Sequence, residues 1–250
     1  MYSAVAGVVV LALLIWFGVR IFSEPPTCFD NVRNQRETGI DCGGPCARIC
    51  SVDTRNPLVL WNRAFLTGPN TYTAVANIQN PNAALGAGAY GVPYAFRLYD
   101  AKGVLIVERD GVIDIPPQQT TPIVEPIINI GDRVVDESDF AFSTSNIVWT
   151  KIPSTSLPRV RIEGQQLSQD GSRLTATVVN TDSTTLRSLT IVAVLYDAEG
   201  NARGASKSII GPMPSGGSQR IDFTWNPGVP NIVQAVITPI PVLPLAPQAQ

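Results

Sequence analysis

A short internal repeat constrains the fold of this chain more than any other sequence feature. The run YAFRLYDAKGVL begins at Tyr94, and TIVAVLYDAEGNA begins at Thr190. Their shared pattern, Leu-Tyr-Asp-Ala-x-Gly, returns from Leu98 to Leu195, a shift of 97 residues. A shift near 100 residues is an ordinary size for one domain. The repeat therefore predicts two copies of one domain within the 250 residues.

The sequence around each copy of the repeat predicts β-strands. TAVANIQNPN precedes the first copy and LTATVVNTD precedes the second, and each is an alternating run that ends in Asn and turn residues. A proline-bearing segment, IDIPPQQTT or IGPMPSGGS, follows each copy and leads into another strand. Short alternating runs separated by turns are typical of β-sandwiches and barrels. We therefore predict a mainly β fold with two tandem immunoglobulin-like β-sandwiches, at residues 53–153 and 154–240.

Individual strands follow from the same alternation. About seven strands are expected in each copy. The first copy predicts strands at 58–65, 71–79, 92–100, 103–109, 120–129, 138–143 and 146–152. The second predicts strands at 158–163, 172–180, 187–197, 202–209, 217–225 and 231–238, with a seventh strand not located. The linker between the copies, IPSTSLP, should be short and stiff.

The repeated aspartate and glycine predict a turn. Asp100 and Gly103 take the first and fourth positions of Asp-Ala-Lys-Gly, and Asp197 and Gly200 do the same in Asp-Ala-Glu-Gly. Asp at the first position and Gly at the fourth are typical of a type I turn. We therefore assign both aspartates to turn capping and not to catalysis.

The repeat resembles the FxLyD family of bacterial envelope proteins. Phe96, Leu98, Tyr99 and Asp100 match its Phe-x-Leu-Tyr-Asp motif, and the second copy has Ala193 at the phenylalanine position. The resemblance implies an immunoglobulin-like β-sandwich without a chemistry of its own.

The amino-terminal 22 residues, MYSAVAGVVVLALLIWFGVRIF, contain no charged side chain before Arg20. As a helix, the stretch before Arg20 would span roughly 28 Å, about the thickness of a hydrocarbon core. A cleaved signal peptide is the main alternative. It would have a basic start and a small-x-small cleavage site. Here no Lys or Arg precedes the apolar run, and no Ala-x-Ala ends it. We predict an uncleaved transmembrane anchor at residues 1–22. Arg20 alone would favour a cytoplasmic carboxyl end.

All four cysteines lie between residues 28 and 50. Cys28, Cys42, Cys46 and Cys50 are separated by 13, 3 and 3 residues. This spacing contains neither the paired C-x2-C knuckles of zinc sites nor a thioredoxin-like C-x-x-C. We predict a cysteine-rich neck at residues 23–52 with two disulfides, for which three pairings are possible. Because disulfides need an oxidising compartment, most of the chain should be extracytoplasmic.

The cysteine segment also resembles a motif of bacterial surface proteins, Cys-x-Asp-Gly-x-x-Asn-x-x-Glu-Thr-Gly-x-Asp-Cys-Gly-Gly-x-Cys followed by a further cysteine. Asn31 stands at its first glycine. The resemblance implies an extracellular module beside an anchor or an adhesive domain. The matching residues are Cys28, Asp30, Asn34, Glu37, Thr38, Gly39, Asp41, Cys42, Gly43, Gly44, Cys46 and Cys50.

Four polar residues of the neck raise the possibility of a calcium site. Asp30, Asn34, Glu37 and Asp41 place oxygen atoms at intervals of three or four residues, which could suit Ca²⁺. The spacing differs from that of an EF-hand loop, and Asp and Asn also cap turns. We favour turn capping and predict no metal or cofactor.

Composition narrows the function. The chain has no histidine, which excludes Ser-His-Asp, Cys-His and His-zinc chemistry. Its net charge of −2 and the absence of any Lys/Arg run give no reason to expect nucleic-acid binding. We predict neither an enzyme nor a small-molecule substrate. Two acidic clusters are assigned to solvated strand ends and loops: Glu108, Asp110 and Asp114, and Asp132, Asp136, Glu137 and Asp139.

These features together predict a membrane-anchored protein of a bacterial cell envelope. Residues 1–22 would bind the lipid bilayer, and two β-sandwiches would serve a structural, adhesive or protein-binding role. The partner would be an unidentified envelope or extracellular protein. The alternatives are an accessory subunit of an envelope enzyme or of a secretion or pilus assembly, and a calcium-dependent adhesin. A Pro-rich tail at residues 241–250 should be an extended end, a last edge strand followed by one, or else a polyproline ligand.

Overall fold

The computed structural model describes residues 27–244 together with Ala12, Leu14 and Ile15. The predicted anchor at 1–22, apart from those three residues, and the last six residues of the predicted tail lie outside this part of the chain. Among the described residues, no helix is both long enough and apolar enough to cross a membrane.

The described chain is built from antiparallel β-strands, with three short 3-10 turns at Ser51–Asp53, Ala83–Leu85 and Ser154–Ser156. The strands are β1 Leu58–Gly68, β2 Thr71–Gln79, β3 Ala87–Tyr99, β4 Leu105–Ile115, β5 Thr120–Asn129, β6 Glu137–Phe142, β7 Trp149–Lys151, β8 Val160–Leu167, β9 Arg173–Asn180, β10 Leu189–Tyr196, β11 Ala202–Ile210, β12 Ser218–Thr224 and β13 Gln234–Pro241.

The strand predictions are confirmed, with differences at the ends. β2 and β5 have the predicted bounds, whereas β13 runs three residues further along the chain than predicted. The predicted strand ends before Pro239, but Pro239 and Pro241 both pair with β10, as the alternative of a last edge strand requires. Proline is tolerated there because β13 is an edge strand. Leu243, in the predicted tail, is also buried.

Strands β1 to β7 form sandwich 1. One of its sheets has the order β1-β2-β5, and the other has the order β4-β3-β6 with β7 also paired to β3. Alternate residues of the central strands face each other across the core. Among the buried residues between the sheets are Ala74, Ala76, Ile78, Tyr94, Phe96, Leu98, Ile123, Phe140 and Trp149.

Strands β8 to β13 form sandwich 2 on the same plan. Its sheets have the orders β12-β9-β8 and β11-β10-β13. Their buried residues include Leu174, Ala176, Val178, Ile191, Ala193, Leu195, Ile221 and Phe223. β9 thus corresponds to β2, and β10 to β3, as the repeat requires.

Two compact units divide the chain after Cys46. Ala47 and the residues after it belong to the second unit, so the last residues of the predicted neck at 23–52 pack with the sandwiches. The Lys151 amide donates to the Ala47 carbonyl at 2.8 Å, and the Ile49 amide donates to the Trp149 carbonyl at 2.9 Å. Ile49 is buried in the core of sandwich 1.

The second unit contains both sandwiches, and they stack face to face. Val75 and Val124 lie on the outer face of sheet β1-β2-β5, and Val192 and Val194 lie on the outer face of sheet β11-β10-β13. All four are buried in one hydrophobic cluster. We call this contact the joint. The two sheets that form it are the joint sheets, and the other sheet of each sandwich is its end sheet.

Candidate functional site

The neck is held by disulfides. Cys28 pairs with Cys46, with Cα atoms 5.7 Å apart, and Cys42 and Cys50 are disulfide-bonded as well. No cysteine is free. The predicted oxidation of all four cysteines is confirmed. Their sulfurs are therefore not available as thiolate ligands for zinc.

Two aspartates of the neck act as turn caps. The Asp41 carboxylate accepts the amides of Asp30 and Asn31 at 3.1 and 3.0 Å. The Asp30 carboxylate accepts the Thr27 and Val32 amides and the side-chain amide of Asn34. These donors, the Thr27 amide above all, hold the pKa of Asp30 below its usual value.

Glu37 is the buried carboxylate of the neck. Its Oε2 accepts the Asp41 amide at 3.1 Å. Its Oε1 lies 2.9 Å from the Cys46 sulfur, which has no proton to donate because it is in a disulfide. Among the described residues, Cys28, Glu37 and Cys46 are the only group with the spacing of a metal site. Two of its three ligand atoms are joined to each other, so the group does not fit a metal.

Left-handed backbone explains part of the neck motif. Gly43 and Gly44 have φ of 73° and 54°, as their role in unusual turns requires. A Cβ on Gly44 would lie 2.3 Å from the Arg36 carbonyl oxygen. Asn31, at the motif's first glycine, has φ of 58°, a conformation that Asn tolerates better than most residues.

A buried asparagine recurs in the two sandwiches. Asn80 directly follows β2, and its side-chain amide donates to the carbonyls of Ala87 and Pro116 at 2.8 and 3.0 Å. Asn180 ends β9, and its side-chain amide donates to the carbonyls of Met213 and Pro214 at 3.1 and 3.0 Å. A third bond goes to Thr184 at 2.9 Å. In both sandwiches the asparagine thus ties the strand end to the proline-bearing segment, which explains why the sequence repeats both features.

The predicted repeat turns are confirmed. The Gly103 amide donates to the Asp100 carbonyl at 2.8 Å, and the Gly200 amide donates to the Asp197 carbonyl at 3.1 Å. The Asp100 carboxylate accepts the Val104 amide and the Arg133 guanidinium, and both hold its pKa below the usual value. Both aspartates are therefore used by the turns.

Polar and aromatic contacts complete the joint. The Lys207 ammonium donates to the Val124 carbonyl at 2.8 Å. The rings of Trp61 and Tyr196 meet edge to face with centroids 6.3 Å apart. Burial raises the pKa of Tyr196. Tyr196 lies between the sandwiches, packed against the joint cluster.

The acidic clusters are engaged in structural contacts at several positions. Glu108 and Asp139 both pair with Arg97 on the end sheet of sandwich 1. The Asp114 carboxylate accepts the Gly91 amide at 2.8 Å. An open groove of about 700 Å³ beside the joint is lined in part by Arg63, Glu137 and other charged residues. None of these contacts brings together an acid pair of catalytic form within the described residues.

The joint is a structural feature that the sequence predictions did not include, although the sequence contains a signal for it. β10 contains the unbroken apolar run Ile191–Leu195, without the alternation of a half-buried strand. Continuous apolar runs are typical of strands buried on both faces. The run therefore indicates that both faces of β10 are covered, one by the core of sandwich 2 and the other by a second surface.

Comparison with known proteins assigns no family. No family model and no curated protein matches the chain. Among solved structures, the calcium binding domain CBD12 of CALX1.1 is 11% identical over 61% of this chain and 68% of that chain, with a TM-score of 0.19. A putative beta-galactosidase from Bacteroides fragilis is 14% identical over 70% of this chain and 33% of that one, with a TM-score of 0.21. TM-scores this low carry no argument about fold or function.

Proposed function

We propose that this chain is a membrane-anchored protein of a bacterial cell envelope that presents two stacked immunoglobulin-like β-sandwiches as one rigid module. Residues 1–22 would hold it in the bilayer, the disulfide-bonded neck would follow outside the cytoplasm, and the module would bind or space other envelope proteins. The FxLyD-like repeat and the neck motif support this reading.

The oxidised neck carries the proposed location. Four cysteines confined to residues 28–50 are all in disulfides, and the strand-forming part of the chain has no cysteine. Disulfides persist in oxidising compartments and are rare in the cytoplasm. An apolar segment long enough to span a bilayer ends only six residues before Cys28. Together these features favour an anchor with an extracytoplasmic module.

The joint carries the proposed mechanical role. Two domains on a flexible linker would move independently, whereas a buried apolar contact resists their separation. Val75, Val124, Val192 and Val194 are each at most 3% exposed. The two sandwiches therefore offer a partner one continuous surface of fixed geometry.

One edge strand is the best candidate for partner binding. β1 is an edge, and its first three residues, Leu58, Val59 and Leu60, are exposed and uncharged. The edges β5 and β13 carry prolines, which hinder strand pairing, and β4, β6, β8, β11 and β12 each carry at least two charged residues, whereas β1 carries only Arg63. An extended segment of another envelope protein could add to the sheet at β1.

The calcium-dependent alternative gains no support from the neck. Asp30 and Asp41 direct their carboxylates to backbone amides of the neck. A melting temperature that responds to neither calcium nor chelator would agree with this.

Thiol accessibility in intact cells tests the proposal. The full chain is produced in a bacterial host, and the cells are treated with a membrane-impermeant maleimide before and after mild reduction. We expect no labelling before reduction and labelling of the neck cysteines after it. Cysteines that react only after lysis, without reduction, would place the chain in the cytoplasm and contradict the proposal.

A further inference from the structure

Three apolar side chains of the neck are exposed. Phe29, Val32 and Ile40 are 50%, 57% and 60% exposed. The amides of Asp30 and Asn31 bind the Asp41 carboxylate, which brings the turn that contains Phe29 and Val32 beside Ile40. Exposed apolar side chains that adjoin one another are typical of surfaces that bind a membrane or a partner.

The length of the connecting chain identifies that partner. Only residues 23–27 separate the apolar segment 1–22 from Cys28. Even fully extended, the six steps from Phe22 to Cys28 span at most about 20 Å. With residues 1–22 in a bilayer, the neck is therefore confined to the headgroup region or the water just above it.

Residues 23–46 carry four acidic side chains and only two basic ones, so the arginines, and not the net charge, are what suits a lipid surface. Arg33 and Arg36 are exposed residues of the same segment. The carboxylates of Asp30 and Asp41 accept backbone amides, which partly offset their charge. Guanidinium groups bind phosphate well, and apolar side chains beside them can enter the boundary between headgroups and acyl chains.

We propose that the neck lies on the bilayer surface, with Phe29, Val32 and Ile40 inserted among the lipid headgroups and Arg33 and Arg36 at the phosphates. This inference rests on the proposed anchoring by residues 1–22 and adds a second membrane contact to it. The contact would limit rotation and tilt of the neck relative to the bilayer.

Methyl NMR of the full chain in lipid nanodiscs tests the inference. Isoleucine δ1 methyl groups are labelled, and Ile40 is assigned from the signal that the Ile40→Val variant loses. The discs contain phosphatidylcholine and phosphatidylglycerol, with or without a lipid that carries a spin label at its headgroup. Ile127 and Ile209 are matched controls because they are 76% and 69% exposed but lie on β5 and β11.

We expect the spin-labelled lipid to abolish the Ile40 signal and to leave Ile127 and Ile209 visible. A water-soluble paramagnetic agent should broaden the two controls and spare Ile40. If Ile40 stays visible beside the spin-labelled lipid while the chain remains in the discs, the neck contact is wrong and the anchor stands. If the chain does not enter the discs, both proposals are wrong. Equal broadening of all three signals would also overturn the assignment to the neck.

Discussion

The two sandwiches share one plan but bury opposite sheets. Sandwich 1 buries the outer face of β1-β2-β5 in the joint, whereas the corresponding sheet of sandwich 2, β12-β9-β8, is an end sheet. The sheet β11-β10-β13 of sandwich 2 lies in the joint, whereas the corresponding sheet of sandwich 1, β4-β3-β6, is an end sheet. The joint therefore connects two non-equivalent faces. A contact of this kind could in principle repeat without end.

Side chains at equivalent positions distinguish the two end sheets from the joint. Val194 in the joint corresponds to Arg97 on the end sheet of sandwich 1, by the shift of 97 residues. Val124 pairs with Val75 in β5 and β2, and Asp222 pairs with Thr175 in β12 and β9. Arg97 pairs with Glu108 and Asp139, and Asp222 pairs with Arg173 and Arg220. Both end sheets thus carry ion pairs where the joint carries valines, as capping repeats do in solenoid proteins.

Placing an end-sheet residue in the joint should have the largest effect on the free energy of unfolding. Val194→Arg places the residue of the equivalent end-sheet position into the buried joint. An unpaired charge there should lower the free energy of unfolding by about 4 kcal/mol, as measured by urea denaturation. The matched control is Arg97→Val, which removes only a partly exposed ion pair and should change stability by less than about 1 kcal/mol. Similar losses in the two variants would contradict the distinction between joint and end sheet.

The buried asparagines test whether equivalent positions contribute alike. Asn180→Ala leaves three carbonyls without their side-chain donor and should cost about 3 kcal/mol, whereas Asn80→Ala leaves two and should cost about 2 kcal/mol. Thermal or urea unfolding measures both. The exposed Asn146→Ala serves as the control and should be neutral. A neutral Asn80→Ala would mean that sandwich 1 holds its proline-bearing segment by other contacts.

Making both end sheets apolar should cause molecules to stack on one another. The variant Arg97→Val with Asp222→Val gives each molecule two complementary apolar faces. We expect it to form chains whose sedimentation coefficient rises with concentration. Each single variant should self-associate less, because a heterologous contact needs both faces. A double variant that sediments like the wild-type chain at all concentrations would show that more than these two positions blocks stacking.

High pH should weaken the joint by a small amount. Burial raises the pKa of Tyr196 above its usual value near 10, so the folded state favours the neutral phenol. The resulting stability is present in full below about pH 10 and is lost as the pH rises through the folded pKa. Tyr94 adds to the same loss, since burial and its hydrogen bond to Glu125 raise its pKa as well. Melting temperatures between pH 8 and 11.5 measure the loss.

Replacing Tyr196 separates its contribution to the loss of stability at high pH from that of Tyr94. Tyr196→Phe should reduce the decline in melting temperature above pH 10, because the phenyl ring has no proton to lose. Tyr99→Phe alters the equivalent position on the end sheet and serves as the control. An identical decline in Tyr196→Phe and in the wild-type chain would assign the alkaline loss to other groups.

The sequence by itself determined the strands, the repeat turns and the oxidation of the neck. Strand alternation and the Asp100–Gly103 turn follow from local backbone and side-chain geometry, which nearby residues largely specify. The clustering of Cys28 to Cys50 was likewise visible without coordinates. The pairing of Cys28 with Cys46 was not, because four cysteines allow three pairings and only the folded backbone brings two particular sulfurs together.

Only the tertiary structure decided that the two sandwiches form one unit. The apolar run Ile191–Leu195 indicates a strand with two covered faces but does not name the cover. Val75 and Val192 meet across more than 100 residues of chain, and such a contact depends on the three-dimensional placement of whole sheets. Hydrophobic burial is non-directional. A sequence can therefore show that a strand face must be buried, but only the tertiary structure decides which surface covers that face.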